Sequence, residues 1–293
     1  MRKLLRWLGI GLGAVVGLVL LAAGILYFVG SARVNRTFTV RTAALRIPGD
    51  SATLARGAHL ARTNGCNDCH TPDFRGQVML DVPPFRAVAA NLTRGRGGVG
   101  ARYTDEDWDR AIRHGVKPDG RPVIVMPSAA FHRMSDEDAA ALIAYLRTLP
   151  PVDHPLPQTE IHAMGRIVAV FQDLTNEVRT GPARAGHTPP VGPTAEYGAY
   201  LASITCAYCH GEDLRGDASP PIPGSPPAPN LAGAGQWPLD GFRRALRTGV
   251  TPHGRRLDPE YMPWKITAAM TDVELEALHA HLRTLAAQPV TSR

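Results

Sequence analysis

The sequence predicts an all-α protein in which two tandem helical repeats follow one N-terminal apolar helix. Three observations predict it. An uncharged run of 23 residues lies near the start, the same landmarks recur in order in two halves, and helix start and stop signals occur without an alternating strand pattern of useful length. The 293 residues leave room for roughly two domains at ~100–200 residues each. A hydrophobic content of 44% with 20% charged residues suits packed cores and excludes wholesale disorder.

The apolar run, Leu8 to Gly30, follows Arg2, Lys3 and Arg6. As a helix it would reach about 34 Å, enough to cross a ~30 Å hydrocarbon core. It has no polar face, as a soluble helix would, and it exceeds the ~7–15-residue apolar stretch of a cleaved signal. Gly30-Ser31-Ala32 resembles a small-residue cleavage site, yet length favours an uncleaved anchor over residues 1–30, held by membrane lipid. Residues 31–50 read as a basic tether. Residues 1–49 carry seven basic side chains and no acid, so the formal charge of +6 belongs to the flanks of the anchor. The rest of the chain holds 25 basic and 26 acidic groups, which removes the main support for a nucleic-acid partner.

The duplication is legible residue by residue. Arg56-Gly57-Ala58-His59-Leu60-Ala61 and Tyr197-Gly198-Ala199-Tyr200-Leu201-Ala202 each lead into a cysteine pair. Asn91-Leu92 recurs as Asn230-Leu231, Met126-Pro127 as Met262-Pro263, and Leu146-Arg147-Thr148-Leu149 as Leu282-Arg283-Thr284-Leu285. The units expected are 51–150 and 191–293, joined by a proline-rich linker at 151–190. Ile161, Met164, Ile167, Val168 and Phe171 lie at helical spacing within that linker, and the piece they form is expected to pack across the two units.

Within each repeat a helix leads into the cysteine pair. A second spans about 105–114, with Thr104 as N-cap and Gly115 at the left-handed C-cap position, and its counterpart at 239–248 closes on Gly249. The last helices open at Ser135-Asp136-Glu137-Asp138 and Thr271-Asp272-Val273-Glu274, the latter a capping box.

All four cysteines belong to two C-x-x-C-H motifs, Cys66-Asn67-Asp68-Cys69-His70 and Cys206-Ala207-Tyr208-Cys209-His210. A zinc ribbon would put its pairs ~15–20 residues apart, and a thioredoxin-like pair expects a βαβ context; neither condition is met. A disulfide inside each pair would not ask for the histidine. Covalent haem c uses all three residues: the cysteines form thioethers and the histidine binds iron. Two covalently bound haem c groups are therefore expected, on Cys66, Cys69, Cys206 and Cys209, with His70 and His210 as iron ligands. Exported attachment of such haem puts the body outside the cytoplasm.

These stretches resemble the cytochrome c family, in particular membrane-associated multihaem cytochromes that serve periplasmic alcohol and sugar dehydrogenases. The resemblance rests on Gly65-Cys66 through His70-Thr71-Pro72, Asn91-Leu92-Thr93, the run from Asp105 to Gly115, and Met126-Pro127-Ser128 through Ala144-Tyr145-Leu146-Arg147, with a looser second copy. It covers about 200 residues and leaves out the anchor and linker. It implies cytochrome c-like haem domains and redox protein partners: a dehydrogenase, an oxidase or a soluble cytochrome.

A sixth ligand is needed on each iron, and methionine is the usual choice. Met126 and Met134 both recur, as Met262 and Met270. Met134 and Met270 precede the N-caps Ser135 and Thr271, where a hydrophobic staple sits. Met126 and Met262 precede proline in loops, 56 and 52 residues after their histidines, and are expected to be the ligands. The other nine histidines have no equivalent in the other half. Arg110, Arg113, Arg244 and Arg247 could pair with haem propionates or form an exposed charged face. Trp108 and Phe242 are expected to pack against haem.

The function expected is a single-pass inner-membrane dihaem cytochrome with its haem domains in the periplasm. It would pass single electrons between a dehydrogenase or quinol-oxidising complex and a terminal acceptor, with no catalytic residues of its own. A dihaem peroxidase would need one iron without a sixth ligand, whereas both halves carry Met-Pro. A non-catalytic haem subunit of a larger dehydrogenase or oxidase differs from a free carrier in partners, not in chemistry.

Overall fold

Capping chemistry sets most of the helix boundaries in the computed structural model, which describes residues 2–218 and 226–287. The ends of the second unit expected from sequence, at 288–293, and its stretch 219–225 lie outside the described residues. Helix α1 (Arg2–Val34) is long and apolar enough to span a membrane, with a mean hydropathy of 2.6 over its best window. It continues four residues past the apolar run. Asp50 accepts from the backbone N–H groups of Ala52 and Thr53 and starts α2 (Ser51–Thr63). Helix α3 (Cys66–His70) follows, entered through the left-handed Gly65.

A small antiparallel sheet comes next. Strands β1 (Gln77–Val82) and β2 (Phe85–Ala89) form a hairpin, with a bulge at Met79 where Val78 pairs with Val88 and Leu80 with Ala87. Strand β3 (Glu160–Ile161) adds to β2 from the far side. The sequence reading expected no strands. The hairpin escapes it because Pro83-Pro84 turns the chain without a glycine or asparagine signal, and because β1 is exposed along most of its length, so no apolar alternation marks it. In the second half the described residues of the corresponding stretch form the isolated bridge Asp217–Ala228.

The remaining helices are α4 (Asp105–His114), α5 (Ser128–Phe131), α6 (Asp136–Arg147), α7 (Ala163–Val168), α8 (Ala195–Thr205), α9 (Ala207–His210), α10 (Leu239–Thr248), α11 (Trp264–Thr267) and α12 (Asp272–Ala286), with a 3₁₀ turn at Ala232–Gln236. The expected caps are present. Thr104 and Thr271 form full capping boxes with Asp107 and Glu274, Ser135 accepts from Asp138, and Gly115 and Gly249 close α4 and α10 in the left-handed region.

The duplication extends to backbone detail. Phe74 and Leu214 share a φ of 59°, and the N–H groups of Leu92 and Leu231 donate to their carbonyls at 2.9 Å. Helix α2 lies on α6 as α8 lies on α12. The helices touch so closely that a Cβ on Gly57 would overlap the Ala141 carbonyl, and one on Gly198 the Ala277 carbonyl. The recurrence of glycine before the cysteine motifs thus has a packing cause.

Residues 160–188 are not a free connection. Arg179 and His114 exchange backbone and side-chain hydrogen bonds, the Arg184 N–H donates to His132, and the N–H groups of Gly186 and Thr188 donate to Asp136 and Glu137. Helix α7 does not pack across the two halves as expected; it lies against the end of α1 and behind β3. Buried residues of both halves form one hydrophobic cluster, from Leu60 and Trp108 to Leu278 and Leu282. Along the junction, Arg56 of α2 meets Asp138 at 2.8 Å and Glu274 at 3.4 Å. His59 meets Glu274 at 2.8 Å, and the Tyr200 hydroxyl donates to Asp138 at 2.7 Å.

Candidate functional site

The first C-x-x-C-H motif forms α3, and in the second Cys206 caps the end of α8 and the start of α9, which carries Cys209 and His210, so each motif follows directly on a longer helix. Cys66, Cys69, His70 and Met126 line the same cavity as Cys206, Cys209, His210 and Met262. Its volume is about 2040 Å³, roughly twice the upper end of the ~300–1,000 Å³ usual for a ligand pocket. Trp108 and Phe242 are buried at equivalent places in its wall. Leu92 and Leu231 also line it, which accounts for the recurrence of Asn-Leu.

The histidines are oriented alike. The Nδ1 of His70 lies 2.7 Å from the Ala90 carbonyl and that of His210 lies 2.8 Å from the Pro229 carbonyl. A carbonyl can only accept, so Nδ1 carries the proton and Nε2 is left with its lone pair. Burial pushes both imidazoles below their ordinary pKa, which keeps them neutral at pH 7. A neutral histidine anchored through its other nitrogen to a backbone carbonyl is the usual arrangement of a metal-ligating imidazole.

The thiols read differently from a redox pair. Burial, reinforced by Cys69, pushes Cys66 up to about 12, and burial with Cys209 does the same for Cys206. Reactive dithiols show the reverse, a thiolate favoured at neutral pH. The four sulfurs are free.

The two recurring methionine pairs separate cleanly. Met134 and Met270 are fully buried in the core and do not line the cavity, whereas Met126 and Met262 do. Each Met-Pro loop has one scaffold: the N–H of Ser128 donates to Met126 at 2.8 Å and that of Trp264 to Met262 at 2.7 Å. Val123 and Leu257 donate back to Gly115 and Gly249, both at 2.7 Å. Val125 has a φ of 77°, a strained conformation for a β-branched residue, directly before Met126. Donor set, tautomers and cavity size together fit haem c in both halves.

The arginines weighed from sequence lie elsewhere. Arg113 is buried and bound to Asp109 and to Asp136 at 2.7 Å, Arg110 pairs with Glu106 and Asp107, and Arg247 pairs with Asp272. None of the four lines the cavity. Arg121 and Arg255 do, each one residue after a left-handed glycine at the same place in the repeat. The matching pairs Gly120-Arg121 and Gly254-Arg255 were the available signal.

Glu177 is a second residue that sequence reasoning passed over. It is buried, accepts from the Ala129 N–H of α5 at 3.0 Å, and accepts from the hydroxyl of Tyr208 at 2.6 Å. One carboxylate thus joins the loop after Met126 to the residue between Cys206 and Cys209. The converse contact is apolar: Ile266, in the helix after Met262, abuts Gly65 beside Cys66. Each Met-Pro segment therefore rests on the cysteine motif of the other half.

A sequence model of the cytochrome c family matches residues 54–150 and 195–286, more than half the chain. The fructose dehydrogenase cytochrome subunit of Gluconobacter japonicus is 27% identical over 272 residues, covering 80% of this chain and 53% of that protein. The cytochrome c subunit of the quinone alcohol dehydrogenase of Gluconacetobacter polyoxogenes is 29% identical, covering 85% of this chain and 59% of its own. The chain thus spans little more than half the length of these relatives. A diheme cytochrome c-type protein of Cereibacter sphaeroides is 26% identical, covering 88% of this chain and 94% of that one.

Proposed function

The chain belongs to the cytochrome c family, and on that premise we propose that it is a membrane-anchored dihaem electron carrier. Haem c supplies one-electron oxidation and reduction when bound. Cys66 and Cys69 would hold one group and Cys206 and Cys209 the other, and His70 with Met126, and His210 with Met262, would bind the irons. The observation that carries this reading is the shared cavity, in which both donor sets occur with both histidine Nδ1 atoms tied to carbonyls.

The protein's own residues orient and insulate the groups. Trp108, Phe242 and the paired leucines keep water from the iron-binding side, while Arg121 and Arg255 offer cations to the haem carboxylates. With a histidine and a methionine offered to each iron, no position would be left open for a substrate, which argues against a peroxidase. Helix α1 would hold the body at the periplasmic face of the inner membrane. The similarity to dehydrogenase cytochrome subunits supports a dehydrogenase as electron donor, and the near full-length similarity to a diheme cytochrome supports a chain that works with two haems.

The test is the optical spectrum of the purified oxidised protein, with haem counted chemically. Two haems per chain and one weak red methionine-to-iron band per haem are expected. One haem, or one band for two haems, overturns the assignment. Purification in mild detergent then separates the two settings: a subunit brings a stoichiometric dehydrogenase with it, and a free carrier runs alone.

A further inference from the structure

Helix α7 and the turn after it carry an apolar surface that packing among the described residues does not cover. Met164 is 47% exposed and Phe171, in the turn just after the helix, is 75% exposed. The same segment is clamped to the end of α1. A Cβ on Gly30 would overlap the Arg166 carbonyl, and the Arg33 guanidinium donates to the Val170 carbonyl at 2.6 Å and to that of Ala169 at 3.4 Å. The position of α7 along α1 is therefore set by the backbone.

That position can be converted into a depth. If the hydrocarbon core starts at Leu8, about 20 helical residues cross it and its outer edge falls near Tyr27. Gly30 then stands about 4–5 Å beyond the edge and Arg33 about 9 Å beyond it, or less if the core begins later in the run. The headgroup layer occupies roughly 5–8 Å on each side. The contact of α7 with Gly30 falls within that layer and its contact with Arg33 at the outer margin, about 6 Å from the edge for a core that begins two residues later. Arg33 adds positive charge near the same level, where anionic lipid phosphates lie.

We propose that α7 and the turn after it form a second membrane contact, in which Met164 and Phe171 enter the headgroup layer of the bilayer that α1 spans. This rests on the reading of α1 as a transmembrane anchor. It makes the connection between anchor and body rigid. Arg166 and Ile161, on or beside the same helix, line the haem cavity, so the contact sets how high that cavity stands above the lipid. A free tether would leave that height undefined.

The test uses the full haem-loaded chain in nanodiscs of phosphatidylcholine and phosphatidylglycerol, with a benzophenone amino acid placed at one position at a time. Position 171 is the probe, position 18 within α1 is the anchor reference, and position 273 on α12, exposed in the other half, is the aqueous reference. After illumination the intact mass should rise by one lipid at 171 and at 18 and stay unchanged at 273. An adduct at 18 with none at 171, or a protein–protein adduct at 171, overturns the proposal and leaves the anchor standing. No lipid adduct at 18 overturns the anchor, and the proposal with it. Because Phe171 is solvent-exposed in the folded chain, the substitution leaves the core untouched.

Discussion

Replacing Glu274 by glutamine tests whether charge holds the two halves together. Glu274 is 3% exposed and stands at the third position of α12. Burial pushes its carboxyl up, but hydrogen bonds from His59 and the Thr271 N–H, with the charges of His59 and Arg56, outweigh burial and hold the pKa at about 2 against an ordinary 4.5. A depression of that size favours the folded ionised state by about 3 kcal/mol. The sign follows from the direction: the stabilisation is fully present above pH 4.5 and is lost as pH falls through about 2. Glutamine can still accept the Thr271 hydrogen bond, so E274Q should cost about 2–3 kcal/mol at pH 7. For a body of this size that lowers Tm by about 4–12 °C. At pH 3 the native carboxylate keeps only about 1–1.5 kcal/mol of its advantage, so the gap between the proteins should roughly halve. Thermal melts of the haem-loaded proteins in detergent at both pH values read this directly. A gap equal at pH 3 and pH 7, or one below about 0.5 kcal/mol at pH 7, would refute the reasoning.

Four further outcomes are expected. Gly57→Ala and Gly198→Ala each force a methyl group into a facing carbonyl and should cost at least about 1–3 kcal/mol, seen as a lower Tm or lost haem-loaded protein. Gly181→Ala, away from the cavity and with nothing within 4 Å, should be silent by the same measurement. Met262→His should keep a six-coordinate iron while lowering one of two potentials in a redox titration, and an unchanged two-step titration would discard Met262 as a ligand. Glu177→Gln weakens a buried hydrogen bond from Tyr208 and should cost about 1–3 kcal/mol, with a changed red band if the Met126 loop shifts with it; a melt and spectrum identical to the parent would deny the bridge.

Several assignments needed no coordinates because their causes are local. A C-x-x-C-H motif is a covalent pattern within five residues, and a helix cap is a hydrogen bond within four. Thr104, Ser135, Thr271, Gly115 and Gly249 thus stand where their residue types require. The 23-residue apolar run likewise announces a long apolar helix, since its length and uniform character need no partner to interpret. Duplication added a second, independent reading of each landmark.

Tertiary packing alone decided the rest, because it joins residues whose spacing in the chain carries no period. Met126 and Met134 recur equally well; local context favoured Met126, and the tertiary structure puts Met126 on the cavity wall and Met134 in the core. Arg113 recurs on a helix face, yet Asp136, 23 residues away, claims it. The hairpin at 77–89 has a wall of the cavity behind it and water in front, so neither strand shows the alternation that a half-buried sheet imprints on sequence. Proline content marks 151–190 as a connection, but the carboxylate of Glu177 and the clamp of α7 on Gly30 depend on side chains and carbonyls brought from more than 30 residues away. Composition can say that a segment is not a regular helix; it cannot say what that segment will touch.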